Sequence, residues 1–165
     1  MRRFEGFPAK MDYTPVPRAF LSRVLPGITD AAEIKVSLHL FAAIAGKRGR
    51  PRFVAFDELL CDTALMEGIR DPDEAPEATL RHALDRAAER GTFIEVVLEG
   101  EADRQRVYLL NTAADREAVA AIRSEEIQLP GTGGRRALPP ETPAPPPNVF
   151  ALYEQNIGLL TPMIA

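Results

Sequence analysis

The sequence has little with which to build a covalent or metal-held framework. Its one cysteine, Cys61, has no partner for an intrachain disulfide. The two histidines, His39 and His82, lie far apart and make no set of zinc ligands with it, so neither a metal nor a cofactor is expected. Neither histidine falls at catalytic spacing from a serine or a carboxylate, and the chain does not read as an enzyme. Basic charge is also in short supply. With 20 Lys and Arg against 24 Asp and Glu, no global positive field draws the protein onto phosphates, and any nucleic-acid contact must come from a local patch. Long apolar runs are missing too. Arg2 and Arg3 are followed by Glu5, Pro8, Lys10 and Asp12 where a signal peptide needs an apolar stretch, and no later segment is long enough to span a bilayer. A reducing, cytoplasmic setting is the expectation.

What is present suffices for one core. At 165 residues, 45% of them apolar, the chain can fold one domain and still leave a connecting segment. Residues 1–16 disfavour helix but carry Phe4, Phe7 and Tyr13, more aromatic surface than a solvated arm needs, so they are expected to lie on something. Pro17 opens a short helix with a stripe of Phe20, Leu21, Val24, Leu25 and Ile28. Asp30 and Glu33 form a capping-box pattern before a helix that runs to about Ala45 and is stopped by Gly46. That helix is apolar on two opposed sides, Ile34, Leu38, Phe41 and Ala45 on one, Val36, Leu40, Ala43 and Ile44 on the other. One core can use one side only. Val36, Leu40 and Ile44, with Phe4 and Phe7, are therefore the expected self-association surface.

The basic turn Lys47, Arg48, Arg50 and Arg52 leads into a very short strand at Phe53 and Val54, then a short helix capped by Asp57 that ends at Cys61, read as a buried small hydrophobe. Thr63 to Ile69 continues as helix or turn. A helix from about Glu77 to Arg90 carries the stripe Leu80, Ala83, Leu84 and Ala87 and stops at Gly91. Strands Thr92 to Leu98 and Gln105 to Leu110 follow as a hairpin, and a helix from about Ala114 to Glu125, with Ala118, Val119, Ala121 and Ile122 inward, leads out of the domain. This order of elements is that of a winged helix-turn-helix: an α+β, mostly helical domain with a two- or three-stranded wing. The Glu77 to Arg90 helix takes the recognition slot and presents Arg81, Arg86 and Arg90 outward, mixed with Asp85 and Glu89. Those arginines and Lys47, Arg48, Arg50 and Arg52 are the candidate phosphate contacts. Glu99, Glu101 and Asp103 at the wing tip oppose such a role.

The domain is expected to span 1–127. Residues 128–147 hold seven of the fifteen prolines together with Gly131, Gly133 and Gly134, the composition of a tether. Gly131 to Arg136 lacks the preceding strand and the Gly-Lys-Ser/Thr ending of a phosphate-binding loop. Residues 148–165 read as one capped helix stopped at Gly158 and the start of another.

Asn148 to Pro162, with Tyr153, Glu154, Asn156, Ile157 and Gly158 followed by Thr161 and Pro162, resembles the opening of the C-terminal domain of DnaD-like bacterial replication initiation (primosomal) proteins. The resemblance covers about the last eighteen residues directly, and the order winged helix, linker, C-terminal domain agrees with it. It implies an N-terminal domain that self-associates as a dimer or higher oligomer and contacts other primosome or helicase-loading proteins. DNA binding is implied for a C-terminal domain of which only the start is in these 165 residues. The alternative function is a winged-helix transcription regulator reading an operator through Arg81 and Arg86.

Overall fold

The computed structural model describes residues 3–100 and 103–139. They form an α+β structure of short helices and a four-stranded antiparallel sheet. Among them no helix is long and apolar enough to cross a membrane. The motif Tyr153, Glu154, Asn156, Ile157 and Gly158 lies outside the described residues.

The first helical stretch is irregular. A π-helical turn at Phe20–Val24, in which the Leu25 N–H reaches back five residues to the Phe20 carbonyl, runs into a 3-10 turn at Leu25–Gly27. The wider turn breaks the expected stripe: Phe20 and Ile28 are buried, but Leu21 turns to solvent. Helix α1, Ala31–Gly46, begins where the Asp30 carboxylate accepts the Ala32 N–H at 2.8 Å. Glu33 does not complete a capping box. It is 1% exposed and bonds Arg90 instead. Phe20 packs edge-on against Phe41, and Phe41 against Phe93, each pair 5.0 Å between ring centroids, tying the first turn through α1 to the sheet.

The two-faced reading of α1 is corrected here. Val36, Leu40 and Ile44 are buried in the domain's own core with Phe41, packed with Leu80, Ala83, Leu84 and Ala87 of α4, Pro76–Glu89. They offer no surface to another chain. The outer side carries Leu38, 42% exposed, with Ile34 and Ala45 only half-buried. The N-terminal segment does not cover that side either. Phe4 is 68% exposed, and Phe7 and Tyr13 are each 80% exposed.

Strand β1, Phe53–Ala55, leads into α2, Phe56–Leu60, and α3, Thr63–Gly68. Asp57 is not the cap of α2. The helix starts one residue earlier, and Glu58 reaches back to accept the Ala55 N–H at 3.1 Å. Phe56 and Leu59 take the inward side of this short helix, so Cys61 at its end is exposed rather than buried. Asp62 caps α3 by accepting the Leu65 N–H at 3.0 Å, and its other oxygen lies 2.9 Å from His39 Nδ1. The Leu65 N–H, opposed by partial burial and helped by His39, holds the Asp62 carboxyl below its usual range. A carboxylate depressed in the fold contributes stability above its unfolded value that is lost as pH falls through its folded value. Asp62→Ala is expected to cost about 0.5–2 kcal/mol at neutral pH, as loss of a helix cap does. The gap from wild type should narrow below about pH 4, read from urea unfolding at both pH values.

Helix α4 ends at Gly91, whose φ of +76° lets its N–H reach the Ala88 carbonyl at 2.9 Å and places the Thr92 N–H 3.0 Å from that of Ala87. Strands β2, Phe93–Glu99, and β3, Arg104–Leu110, pair with Phe93 opposite Leu110 and Glu99 opposite Arg104. Strand β1 pairs with β3 on its far side, and β4, Arg136–Ala137, lies beyond β2, giving the order β1-β3-β2-β4. Alternation along the strands separates two cores. Val54, Phe93 and Tyr108 face the helices α1 to α4, while Ala55, Val96, Leu98, Val107 and Leu109 face the other way.

That second face overturns the expected end of the domain at residue 127. Helix α5, Ala113–Arg123, does not lead out but packs Val119 and Ile122 on the sheet, and the chain then folds back. Leu129 and Ala137 are buried beside them, and β4, Arg136–Ala137, pairs with β2. The glycines at 131, 133 and 134, all at positive φ, shape this return rather than a free joint. A chain cut after residue 127 is expected to be less stable than one cut after 139 by about 1.5–3 kcal/mol, the burial of one leucine, measured by denaturant unfolding of both.

Candidate functional site

Two surfaces hold the candidate phosphate contacts, and they differ in how their charge is used. On α4, Arg81 Nη2 lies 3.0 Å from Glu77 Oε1, one turn back, with its guanidinium 5.2 Å from the centre of the Phe56 ring. Arg86 Nη1 lies 3.4 Å from Asp30 Oδ2, at the cap of α1. Arg90 donates from Nε and Nη2 to the two oxygens of Glu33, at 2.7 and 3.2 Å. The Glu33 hydrogen bonds raise the Arg90 guanidinium further above its already high range. Asp85, on the same helix, is 3.3 Å from Arg106, and His82 Nδ1 is 3.8 Å from Glu74. Both histidines therefore meet carboxylates, contrary to expectation; no hydroxyl or thiol hydrogen-bonds either of them among the described residues.

A phosphate approaching α4 must compete with a carboxylate already seated on each arginine. The face of the helix is electrically balanced, and the net counterion release that drives binding to a polyanion is correspondingly small. The β2–β3 hairpin adds nothing positive: Glu99 holds Arg104 at 3.2 Å and Asp103 holds Arg135 at 2.9 Å, while Glu101 lies outside the described residues.

The basic turn after α1 is different. Lys47 closes the helix with its N–H on the Ile44 carbonyl and pairs its ammonium with Glu58. Burial pushes the Glu58 carboxyl up, but the bonds from Lys47 and from the Ala55 N–H outweigh it and hold the carboxyl below its usual range. Arg48, Arg50 and Arg52 are exposed, and among the described residues none has a carboxylate within salt-bridge distance. Lys47, Arg48 and Arg52 border a shallow hollow of about 380 Å³ shared with Gln105, Pro130 and Thr132. Among the described residues, the structure thus divides the predicted cations into those already paired with carboxylates, Lys47 and the three arginines of α4, and an unpaired set of Arg48, Arg50 and Arg52.

The exposed aromatics make a third surface. Phe4 and Phe7 meet edge-on at 5.0 Å, and Phe7, Met11 and Tyr13 surround a mainly apolar hollow of about 360 Å³. Of the expected self-association residues only Phe4 and Phe7 remain available. The return of residues 128–138 onto the sheet, and the arginines Arg116 and Arg123 of α5, were not singled out by sequence reasoning. The signal of the return was weak, since Leu129 and Ala137 are separated by seven residues, among them Pro130 and three glycines, with no strand or helix periodicity. No family model, curated protein or solved structure matches this chain.

Proposed function

We propose that this chain is a non-enzymatic assembly component of the bacterial replication-initiation machinery, of the DnaD-like kind. Its winged-helix domain joins copies of itself and partner proteins instead of reading DNA through the recognition-slot helix. The observation that carries this reading is the engagement of Arg81, Arg86 and Arg90 by Glu77, Asp30 and Glu33. A DNA reader keeps such arginines free for phosphates and base edges; here they fasten α4 to α1 and to its own first turn. Contact with other chains falls instead to Phe4, Phe7, Met11 and Tyr13, a cluster too apolar and too exposed to be explained by the fold alone. Arg48, Arg50 and Arg52 supply only an accessory, sequence-independent grip on phosphates.

Sedimentation equilibrium of the full chain tests the reading. Self-association at tens of micromolar, an order of magnitude for a modest interface, is expected, and a monomer throughout that range counts against it. Arg81→Ala/Arg86→Ala should leave both self-association and the weak, salt-sensitive binding to random duplexes unchanged. Loss of tight binding to one defined duplex on that change would point to an operator reader instead.

A further inference from the structure

Among the described residues, the sheet has an open edge beside a cationic groove. Strand β4 covers β2 only at Leu98 and Glu99, with one further bond from the Leu138 N–H to the Val97 carbonyl at 2.8 Å. Beyond that point, from Phe93 to Val96, β2 has β3 on one side and, among the described residues, no strand on the other. The parity of the ladder says which backbone groups are left over. The Thr92 carbonyl accepts the Asn111 N–H, so Thr92, Ile94, Val96 and Leu98 turn their backbone toward β3, while Phe93, Glu95 and Val97 turn theirs outward. A strand continued in the register of β4 would meet Glu95 with Pro140, which has no N–H to give.

The groove along this edge has a volume of about 640 Å³. It is lined by Val119 on α5 and Leu138, and by Arg106, Arg116 and Arg123 against one lining carboxylate, Glu95, while Arg106 also meets Asp85 at 3.3 Å. Glu95 is itself held by Arg106 at 3.1 Å and by the Tyr108 hydroxyl at 3.3 Å. Arg116 bonds only the neutral amide of Asn111, at 2.8 Å, and Arg123 has no carboxylate partner among the described residues, with its Nε buried and unbonded. In a chain of net charge −4 this is a local excess of positive charge beside backbone donors and acceptors that no described strand pairs.

We infer that this groove takes an extended acidic peptide of a partner protein, added antiparallel to β2 as a strand in the place where β4 stops. Backbone bonds to Glu95 and Phe93 hold the strand, alternate apolar side chains meet Val119 and Leu138, and its carboxylates meet Arg116 and Arg123. A nucleic acid would use the arginines but not the edge, and the edge is what distinguishes the two. The proposal is independent of self-association through the aromatic segment.

The test is fluorescence anisotropy of a labelled peptide of alternating valine and glutamate, titrated with the full chain. Saturable binding is expected, at least tenfold tighter than that of the same peptide with lysine for glutamate. It should weaken by tenfold or more when the peptide's outward-pairing amides are N-methylated. Arg116→Ala/Arg123→Ala, and separately Arg123→Gln as the milder change, should weaken it in the same assay while circular dichroism stays that of wild type. Absence of saturable binding at hundreds of micromolar, affinity indifferent to N-methylation, or full displacement by equimolar oligothymidylate would each overturn the proposal.

Discussion

Leu40→Ala is expected to lower the free energy of unfolding by about 2–5 kcal/mol and to leave the association state of the folded chain unchanged. Leu40 is fully buried midway along α1, between Val36 and Ile44, in the same cluster as Leu80 and Leu84 of α4 and Tyr108 of β3. Truncation removes the transfer free energy of the side chain and leaves a void at the junction of both helices with the sheet, where neighbours on three elements cannot all collapse inward. A loss of this size is a large fraction of the stability of a small domain. If Leu40 instead faced another copy of the chain, its truncation would weaken the oligomer and barely move the unfolding of dilute protein. Denaturant unfolding at submicromolar and at tens of micromolar concentration separates the two outcomes, and a small, concentration-dependent loss would sink the assignment to the core.

Phe7→Ser/Tyr13→Ser should have the reverse effect, weakening self-association by a hundredfold or more while leaving the unfolding midpoint of the monomer in place. Both rings are 80% exposed, so neither holds the domain together. Aromatic anchors at the centre of an interface cost upwards of 2 kcal/mol each when removed, and about 1.4 kcal/mol is a factor of ten. Sedimentation equilibrium reads the first effect and thermal unfolding the second. Unchanged association would remove the N-terminal segment from the interface. A fallen midpoint would mean that it packs on its own domain after all.

The elements were legible because their signals are local. Asp30, Gly91 and the stripe Leu80, Ala83, Leu84, Ala87 declare where helices begin, end and turn inward, and each does so through residues within a turn or two. Helix α1 was less legible, for a definable reason. Its buried side carries Glu33 and Ser37 and its outer side carries Leu38, so the apolar pattern has little direction, and Val36, Leu40 and Ile44 could be placed on the wrong face. The end of the domain is hard to read because the stretch 128–139, rich in glycine and proline, hides three buried residues, Leu129, Thr132 and Ala137. Composition averages over such a stretch; a second sheet face in need of cover does not.

The candidate site follows the same division. Residue identity and spacing already say which side chains are cationic, that those of α4 point away from its apolar stripe, and that Lys47 to Arg52 are crowded into one turn. Which of these charges are paired follows from long-range packing. Arg86 and Arg90 meet Asp30 and Glu33 from 56 and 57 positions away, a separation at which periodicity and capping carry no information. The same packing leaves Arg116 and Arg123, among the described residues, without carboxylate partners and beside a strand edge that no other described strand covers. Charge is a property of a residue, but its availability depends on which neighbour the fold brings within about 4 Å of it, and that neighbour is chosen by the packing of α1 against α4 and of α5 against the sheet.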